Sequence, residues 1–278
     1  MPIADPSGVA DFANVVEHTG CTDAQVHKKG HTMKVIVFGA AGWLGRAILS
    51  SLSPHHQVTA FDRSAEAWHR CDQIDGTWQD GPVIHGDISN YDAVAQAIEG
   101  VDVVIHAAVY AAPGGYHEHD EKPFLVNLKG LWNVLHSVHQ AGIKRVVHIG
   151  SCQVVHPTGV FFDREVRRPD GHLYAISKRL QEEMCRQFHD AFGLSQVVFR
   201  PCTIIDGRLG VDKAGSALEP GTWHVNWVCR HDIGDACKAA IEKPDLDFEI
   251  LHVAGSPEAD AHCNVAHTRE ILKHTLGA

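Results

Sequence analysis

The chain has 278 residues, of which 44% are hydrophobic and 21% charged, and it carries a formal net charge of -10 at pH 7. This negative charge argues against a nucleic-acid partner, because proteins that bind a phosphate backbone concentrate Lys and Arg on one face. No stretch approaches the roughly 18 apolar residues that span a bilayer, so the composition predicts a soluble globular protein with no membrane partner.

The cysteines and histidines give little support to disulfide or metal chemistry. The eight cysteines are scattered, without a CxxC pair or a short-spaced framework, which predicts free thiols in a reducing cytoplasm. The best local candidate among the 22 histidines is the run His117-Glu118-His119-Asp120-Glu121. It has no third ligand at a spacing typical of metal sites. We therefore predict that the chain binds no metal.

The first 32 residues differ from the rest of the chain. They mix Pro, Gly, Asp, His and Lys without apolar periodicity, and they lack the basic start and apolar run of a signal peptide. Because such a composition cannot bury enough apolar surface to order itself, we predict an N-terminal extension over residues 1–32. Residues 33–278 are expected to form a single domain.

Short apolar runs then alternate with helical patterns along the chain. The runs that predict buried strands lie at residues 35–38, 58–61, 82–85, 101–107, 145–149 and 196–199. They are followed by a loop rich in Gly and Pro at 206–221, a helix at 232–241, a strand at 250–253 and a helix at 264–274. Repeated βαβ units require right-handed crossovers and a parallel sheet covered on both faces. We predict an α/β fold with a doubly wound parallel sheet and a small C-terminal substrate-binding cap, with the substrate-binding elements mainly in residues 200–278.

The first predicted strand leads directly into a glycine-rich turn, Gly39-Ala40-Ala41-Gly42-Trp43-Leu44-Gly45, and then into a helix. Glycines allow a tight turn and a close approach of the backbone to a pyrophosphate, and the helix N-terminus adds unpaired N–H groups. A GxxGxxG string alone is a weak signal, since an ordinary glycine turn has the same pattern. In this strand–turn–helix context it predicts a dinucleotide site.

Residues at the ends of the next strands extend this predicted site. Asp62 ends the second strand, twenty residues after Gly42, where its carboxylate can accept hydrogen bonds from an adenosine ribose. This favours NAD over NADP, because the carboxylate would repel a 2′-phosphate; a helix N-cap is the alternative role for Asp62. Cofactor contacts are also predicted after the third and fourth strands, at Asp87, Ile88, His106, Ala107 and Ala108.

A tyrosine and a lysine one helical turn apart predict the catalytic groups. In Tyr174-Ala175-Ile176-Ser177-Lys178 both side chains lie on one helix face. A tyrosine hydroxyl titrates near pH 10, and a nearby positive charge favours its ionised form. Ser151 follows the fifth strand and can hydrogen-bond the substrate oxygen, while Asn127 can hold a helix and a proton-relay water. The alternative explanation of YxxxK is a pair of exposed polar residues on a helix. The dinucleotide motif that precedes it favours the catalytic interpretation.

Together these motifs resemble the extended branch of the short-chain dehydrogenase/reductase superfamily, the NAD-dependent epimerase/dehydratase family, over roughly residues 33 to 255. The residues that carry the resemblance are Gly39, Gly42, Gly45, Asp62, Asp87, His106-Ala107-Ala108, Asn127, Ser151, Tyr174, Lys178 and Arg200-Pro201. The resemblance implies a Rossmann fold, NAD as cofactor, and cofactor contacts from Arg200 and Pro201. It also implies that Tyr174 is the general acid/base, that Lys178 binds the nicotinamide ribose, that Ser151 polarises the substrate oxygen and that Asn127 supports a relay.

The family's shared machinery does not fix the net reaction. The short C-terminal part and the stretch Arg168-Pro169-Asp170-Gly171-His172-Leu173-Tyr174 are similar to the compact uronate-dehydrogenase-like members. Two departures from those members stand out. Cys152-Gln153 replaces the Asn-His pair expected in the substrate site. No arginine aligns cleanly with the carboxylate-binding arginine of those members. Arg208 is the nearest candidate, and a solvated charge in a loop is its alternative role.

We therefore predict an NAD-dependent oxidoreductase acting on a hydroxyl or carbonyl of a small carbohydrate-like substrate. Ser151, Cys152, Gln153 and Arg208 are the predicted substrate contacts. A nucleotide-sugar epimerase with tightly bound NAD and a dinucleotide-sensing regulatory protein remain alternatives. The resemblance further implies a homodimer through the helices that bear Asn127 and Tyr174, and the apolar spacing of Leu131, Leu135 and Val138 permits it.

Overall fold

A computed structural model describes residues 32–111, 121–154, 171–219, 224–255, 257–261 and 264–273. Almost all of the predicted extension at 1–32 and the histidine run at 117–120 lie outside the described residues, so the predictions about them are left as predictions. Within the described residues no group of three or more His, Cys, Asp or Glu side chains is placed to hold a metal ion.

Seven parallel strands form the main sheet. In spatial order they are β3 (Val83–His85), β2 (Gln57–Asp62), β1 (Lys34–Phe38), β4 (Val103–His106), β5 (Arg145–Ile149), β6 (Ser195–Pro201) and β9 (Phe248–Val253). Each neighbouring pair is parallel. The prediction of a doubly wound parallel sheet is therefore confirmed, and all six of the strands predicted first, together with the later one at 250–253, are present.

Helices cover both faces of this sheet. They are α1 (Trp43–Leu52), α2 (His69–Asp75), α3 (Tyr91–Ala97), α4 (Gly130–Gln140), α5 (Leu173–Phe192), α6 (Arg230–Glu242) and α7 (Val265–Leu272), with a π-helix at Pro123–Lys129 and 3-10 turns at Ala65–Ala67, Cys152–Val154 and Pro257–Ala261. Strands such as β1 are apolar along their length because alternate side chains enter two separate cores: Val35 and Val37 face α1 and α6, while Ile36 and Phe38 face α3, α4 and α5.

The C-terminal part contributes more to the main fold than the sequence predicts. α6 packs against α1 and β9 forms the seventh strand of the sheet. The described elements of this part outside the main sheet and its helices include a two-stranded parallel sheet of β7 (Thr203–Ile205) and β8 (Trp227–Cys229). Sequence reasoning predicted neither strand.

The order of the strands determines where a ligand binds. The chain leaves β1 toward β2 on one side and later adds β4 on the other side, so the loops after these two strands diverge at the centre of the sheet. A crevice at such a switch point, outside the carboxyl ends of the strands, is the usual ligand site of an open α/β sheet. Among the described residues no helix is both long and apolar enough to cross a membrane.

Candidate active site

The glycine turn between β1 and α1 has the shape that a pyrophosphate requires. Gly39 has a φ of +82°, and a Cβ there would lie 2.6 Å from the Ala108 backbone. A Cβ on Gly45 would lie 2.1 Å from the Gly39 carbonyl oxygen. Only glycine therefore fits either position. Trp43 and Leu44 begin α1, where the first amides of a helix lack intrahelical partners and face an anion.

Asp62 ties the end of β2 to this turn. One carboxylate oxygen accepts a hydrogen bond from the Ala41 amide at 2.9 Å, and the other accepts one from the Arg63 amide at 2.8 Å. The helical turn that follows is capped at Ser64 rather than at Asp62. The carboxylate thus lies beside the glycine turn, is only half-buried, and keeps lone pairs that can accept further hydrogen bonds.

The third strand ends in a turn organised by its own side chains. Asp87 is exposed and accepts a hydrogen bond from the Ser89 amide at 2.8 Å. The side chain of Ile88 is buried, and its carbonyl accepts a hydrogen bond from Asn133 of α4 at 2.8 Å. This contact fixes the loop against α4. Any cofactor contact by Asp87 and Ile88 stays a prediction.

His106 is a predicted cofactor contact whose imidazole lies in the core, and its contact with the cofactor stays a prediction. The imidazole is fully buried between the sheet and the α4–α5 layer, with its Nδ1 atom 3.1 Å from Nδ1 of His148 on β5. Burial, together with the nearby Lys178 ammonium, lowers the pKa of His106 to about 3 and the pKa of His148 well below its ordinary value. The imidazole thus belongs to the core. At the carboxyl end of β4 it is Ala107 and Ala108 that lie against the glycine turn.

Tyr174 and Lys178 occupy the first turns of α5. Tyr174 is half-buried, and the Lys178 ammonium lies 5.9 Å from the centre of its ring. The same ammonium donates a hydrogen bond to the Ile149 carbonyl at 2.8 Å. Ile149 is the last residue of β5, two positions before Ser151. Lys178 therefore joins α5 to the strand end that carries the predicted substrate-binding serine.

The environment of Lys178 weakens its charge. Burial lowers its pKa from 10.5 to about 7. The sequence predicts a positive charge beside Tyr174, and burial disfavours that charge in the folded protein. An anionic group bound nearby would favour the charged form.

The pKa of Lys178 predicts a pH-dependent stability. Between pH about 7 and 10.5 the unfolded chain holds a proton that the folded chain has released, so its unfolding free energy rises with pH in this window. Lys178→Met lacks this contribution. The free energy of unfolding, measured with urea at several pH values from 6 to 9, should therefore diverge between the two proteins. That of the wild type should rise by up to about 1.4 kcal/mol more per pH unit. Lys238→Met, on the surface of α6, should run parallel to wild type, and parallel curves for Lys178→Met would contradict the prediction.

Ser151 and Asn127 are held by separate contacts. The Ser151 hydroxyl is buried and accepts a hydrogen bond from the Gln153 amide at 3.2 Å. Asn127 lies in the π-helix and is fully buried, with its side chain hydrogen-bonded to both backbone groups of Tyr110 and to Ser177 of α5. Its carbonyl accepts a hydrogen bond from Gln181 at 2.7 Å. Asn127 therefore ties the loop after β4 to α5, and its predicted catalytic role with a relay water stays a prediction.

The side chain of Arg200 is occupied elsewhere. Its guanidinium is 1% exposed and forms a buried, two-point ion pair with Glu182 of α5, with nitrogen–oxygen distances of 2.8 and 2.5 Å. Arg200 therefore holds α5 against β6, and its predicted cofactor contact stays a prediction. Pro201 is buried at the end of β6, and its predicted cofactor contact stays a prediction.

The predicted substrate contacts divide into two groups. Cys152 and Gln153 follow Ser151 in the turn after β5. Arg208 lies exposed in the turn after β7. Burial, with a smaller contribution from the Arg208 charge, lowers the pKa of His231 at the start of α6, while burial and the neighbouring Asp235 raise the pKa of Asp232 to about 6. The contacts that link Lys178, Ser151 and the end of β5 do not extend to Arg208, so its assignment to the substrate stays a prediction.

The sequence patterns did not predict a charged cluster behind the glycine turn. Arg230, at the start of α6, binds Asp75 of α2 at 2.6 Å and Asp206 at 2.7 Å. The guanidinium also stacks on the Trp43 ring, 4.2 Å from its centre, and donates to the Trp43 carbonyl at 3.1 Å. It therefore supports the first residue of α1. These partners are too far apart in sequence for any local pattern to join them.

The fold and site define an α/β dinucleotide-binding protein with a tyrosine, a lysine and a serine at the carboxyl edge of the sheet. Residues 35–215 match the NAD dependent epimerase/dehydratase family. Because this match covers more than half of the chain, the protein belongs to that family, and NAD is its cofactor.

Individual relatives give further comparisons. The chain is 28% identical over 232 residues to uronate dehydrogenase of Pseudomonas syringae pv. tomato, covering 79% of this chain and 73% of that protein. It is 34% identical over 127 residues to 3 beta-hydroxysteroid dehydrogenase/Delta 5-->4-isomerase of Mycobacterium tuberculosis, covering 44% of this chain and only 32% of that protein. A crystal structure of uronate dehydrogenase from Agrobacterium tumefaciens shares the fold, with a TM-score of 0.69 at 21% identity over 89% of this chain and 85% of that chain.

Proposed function

We propose that the protein is an NAD-dependent oxidoreductase that transfers a hydride between nicotinamide and a hydroxyl or carbonyl of a small carbohydrate-like substrate, such as a sugar, a sugar acid or a polyol. The observation that carries this proposal is the hydrogen bond from Lys178, one turn after Tyr174, to the end of β5 at 2.8 Å. It brings the proton-transferring helix to the strand end that bears Ser151, next to a dinucleotide cradle.

Each group has a separate task in the proposed reaction. NAD, when bound, would supply the hydride acceptor for oxidation and, as NADH, the hydride donor for reduction. Tyr174 takes the hydroxyl proton of the substrate as the carbonyl forms, and returns it in the opposite direction. Ser151 donates a hydrogen bond to the same substrate oxygen, and Lys178 favours the ionised form of Tyr174 and binds the ribose. A proton and a hydride leave the substrate together, so the reaction balances.

The proposed substrate class is based on how much of each relative's length the chain matches. The uronate dehydrogenase relative is matched over most of both chains, whereas the steroid dehydrogenase relative is matched over only a third of its length. The described turn after β5 is also polar, since Gln153 is only partly buried there. Polar groups beside the reactive oxygen favour a hydroxylated substrate over a sterol.

A screen of aldoses, uronic acids and polyols tests the proposal. The protein is incubated with each compound and either NAD or NADP, and reduced nicotinamide is followed by its absorbance. We expect turnover of at least one of these compounds with NAD and much weaker turnover with NADP, because the Asp62 carboxylate repels a 2′-phosphate. Equal use of both cofactors would contradict the role of Asp62. Conversion of a nucleotide sugar to its epimer without net NADH would instead favour the epimerase alternative.

We also propose a homodimer formed by the π-helix, α4 and α5. Leu131, Leu135 and Val138 do not support it, because all three are fully buried in the core of their own chain. The support comes instead from large apolar side chains that are exposed on these helices: Phe124, Leu125, Trp132, Ile176 and Leu180. Clustered exposed apolar groups of this kind mark interaction surfaces.

The dimer is tested by light scattering at micromolar concentration. We expect the mass of two chains for the wild type and of one chain for Trp132→Glu/Leu180→Glu, because each charge would have to be buried in the interface. Asp190→Ala, at an exposed position near the end of α5, is the control and should remain dimeric. A wild-type monomer would overturn the proposal.

A cytoplasmic location is proposed as well, supported by the six free cysteines among the described residues.

A further inference from the structure

Two thiols meet where β5 and β6 end. Cys152 comes directly after Ser151, and Cys202 comes directly after Pro201, the last residue of β6. The two strands are paired in parallel up to Ile149 opposite Phe199, and the Gly150 amide beyond this pair donates to the Phe199 carbonyl at 2.7 Å. Cys152 and Cys202 each follow this last pair by three positions. A hydrogen bond joins the two thiols. The two thiols are therefore in side-chain contact, as a disulfide between them requires.

Cys202 has the surroundings of a reactive thiol. It is only partly buried, whereas Cys152 behind it is 2% exposed. The Asn226 amide donates to its sulfur at 3.7 Å, and the Thr203 hydroxyl lies 4.0 Å away. These donors, with the Cys152 thiol first among them, lower the pKa of Cys202 in spite of its burial. A stabilised thiolate is the form of cysteine that reacts with oxidants.

The other described thiols with a shifted pKa show the opposite behaviour. Burial raises the pKa of Cys71, Cys185 and Cys237, all of which are almost completely inaccessible. Burial of this kind makes a thiol inert. Among the described thiols with a shifted pKa, only Cys202 beside Ser151 therefore has the thiolate form favoured.

We propose that Cys152 and Cys202 form a reversible disulfide when hydrogen peroxide reaches the active site. The Cys202 thiolate attacks one peroxide oxygen, so that an S–O bond forms, the O–O bond breaks and hydroxide leaves. The Cys152 sulfur then attacks the Cys202 sulfur, the S–S bond forms, and the second oxygen leaves as water with the Cys152 proton. Two thiols and one peroxide give one disulfide and two waters, and a dithiol reductant reverses the change.

Because the two cysteines lie beside Ser151, their oxidation should affect the candidate active site. Ser151 precedes Cys152, and its hydroxyl is held by the amide of Gln153, the residue after Cys152. A covalent bond requires the two sulfurs to move from hydrogen-bonding to bonding distance, and we expect the turn that carries this hydrogen bond to shift as they do. Oxidation should therefore displace Ser151 and lower turnover. This consequence rests on the proposed function, whereas formation of the disulfide does not.

Mass spectrometry tests the disulfide without any substrate. The full-length protein is treated with a small excess of hydrogen peroxide, quenched and measured intact and after digestion. We expect the loss of two hydrogens, a cross-linked peptide pair containing Cys152 and Cys202, and full recovery with dithiothreitol. Cys152→Ala should stop at a sulfenic acid on Cys202, which dimedone labels, and Cys202→Ala should leave Cys152 unmodified. Cys237→Ala, on the buried face of α6, should behave as the wild type does.

Specific outcomes would overturn the proposal. An unchanged mass at peroxide concentrations that oxidise Cys202 in Cys152→Ala would show that the two sulfurs do not combine. A cross-link to any other cysteine would do the same. Once a substrate is known, peroxide should abolish most turnover and dithiothreitol should restore it. A quantitative Cys152–Cys202 disulfide with unchanged turnover would refute the effect on Ser151, and failure to find a substrate leaves the mass measurement fully interpretable.

Discussion

Tyr174→Phe should lower turnover by roughly 10² to 10⁴ while NAD affinity and stability stay close to wild type, because a positioned general acid/base group typically contributes that factor. Phenylalanine keeps the ring against which the Lys178 ammonium lies at 5.9 Å, and it deletes only the hydroxyl. The measurement is steady-state kinetics with a substrate found in the screen, combined with calorimetry for NAD.

Tyr91→Phe is the matched control for the hydroxyl deletion. The Tyr91 hydroxyl lies 3.1 Å from Nδ1 of His136, on α3 and α4 respectively. This control should keep its turnover. If Tyr174→Phe also retained near-normal turnover, Tyr174 would not be the proton-transferring group. A dinucleotide-sensing regulatory protein would then become the better interpretation.

Arg230→Met should reduce the unfolding free energy by about 3–5 kcal/mol, the usual result of removing one partner of a buried ion pair. Asp206 has a completely buried side chain and loses its guanidinium partner at 2.7 Å in this variant. The Asp206 carboxylate keeps the hydrogen bonds from the amides of Arg208 and Leu209, and the His231 ring lies 3.4 Å away. Because burial lowers the pKa of His231, this ring cannot supply a full positive charge at neutral pH. Urea unfolding at neutral pH measures the loss.

The same variant should weaken NAD binding in calorimetry, because Trp43 at the start of α1 loses both a stacked cation and a carbonyl partner. Arg269→Met is the control. Arg269 pairs with Asp260 at the surface, and exposed pairs contribute about 0–1 kcal/mol. Asp206→Asn introduced into Arg230→Met should recover part of the loss by removing the uncompensated charge. Similar small losses for Arg230→Met and Arg269→Met would contradict a structural role for the Arg230 cluster.

Local patterns in the sequence were sufficient for the fold class and for much of the candidate site. Apolar runs separated by helical patterns permit only a parallel sheet with helices on both faces. The glycine turn was predictable because Gly39 and Gly45 occupy positions where a Cβ would overlap the backbone. The spacing of Tyr174 and Lys178 was equally informative, because one helical turn places both on the same face. Each of these inferences uses residues that are close in sequence.

The tertiary structure decided everything that depends on residues distant in sequence or on burial. Arg230 and Asp75 are 155 positions apart, and His106 and His148 are 42 positions apart, so that no periodicity links them. The burial of Lys178, which lowers its pKa to about 7, depends on packing between α5 and the sheet. The sequence by itself determined the order of elements and the chemical types at the strand ends, because these follow from local stereochemistry and hydrophobic spacing. Only the folded chain decided which charges are desolvated, which side chains pair across the sheet, and which thiols meet, because these properties arise from distances between elements.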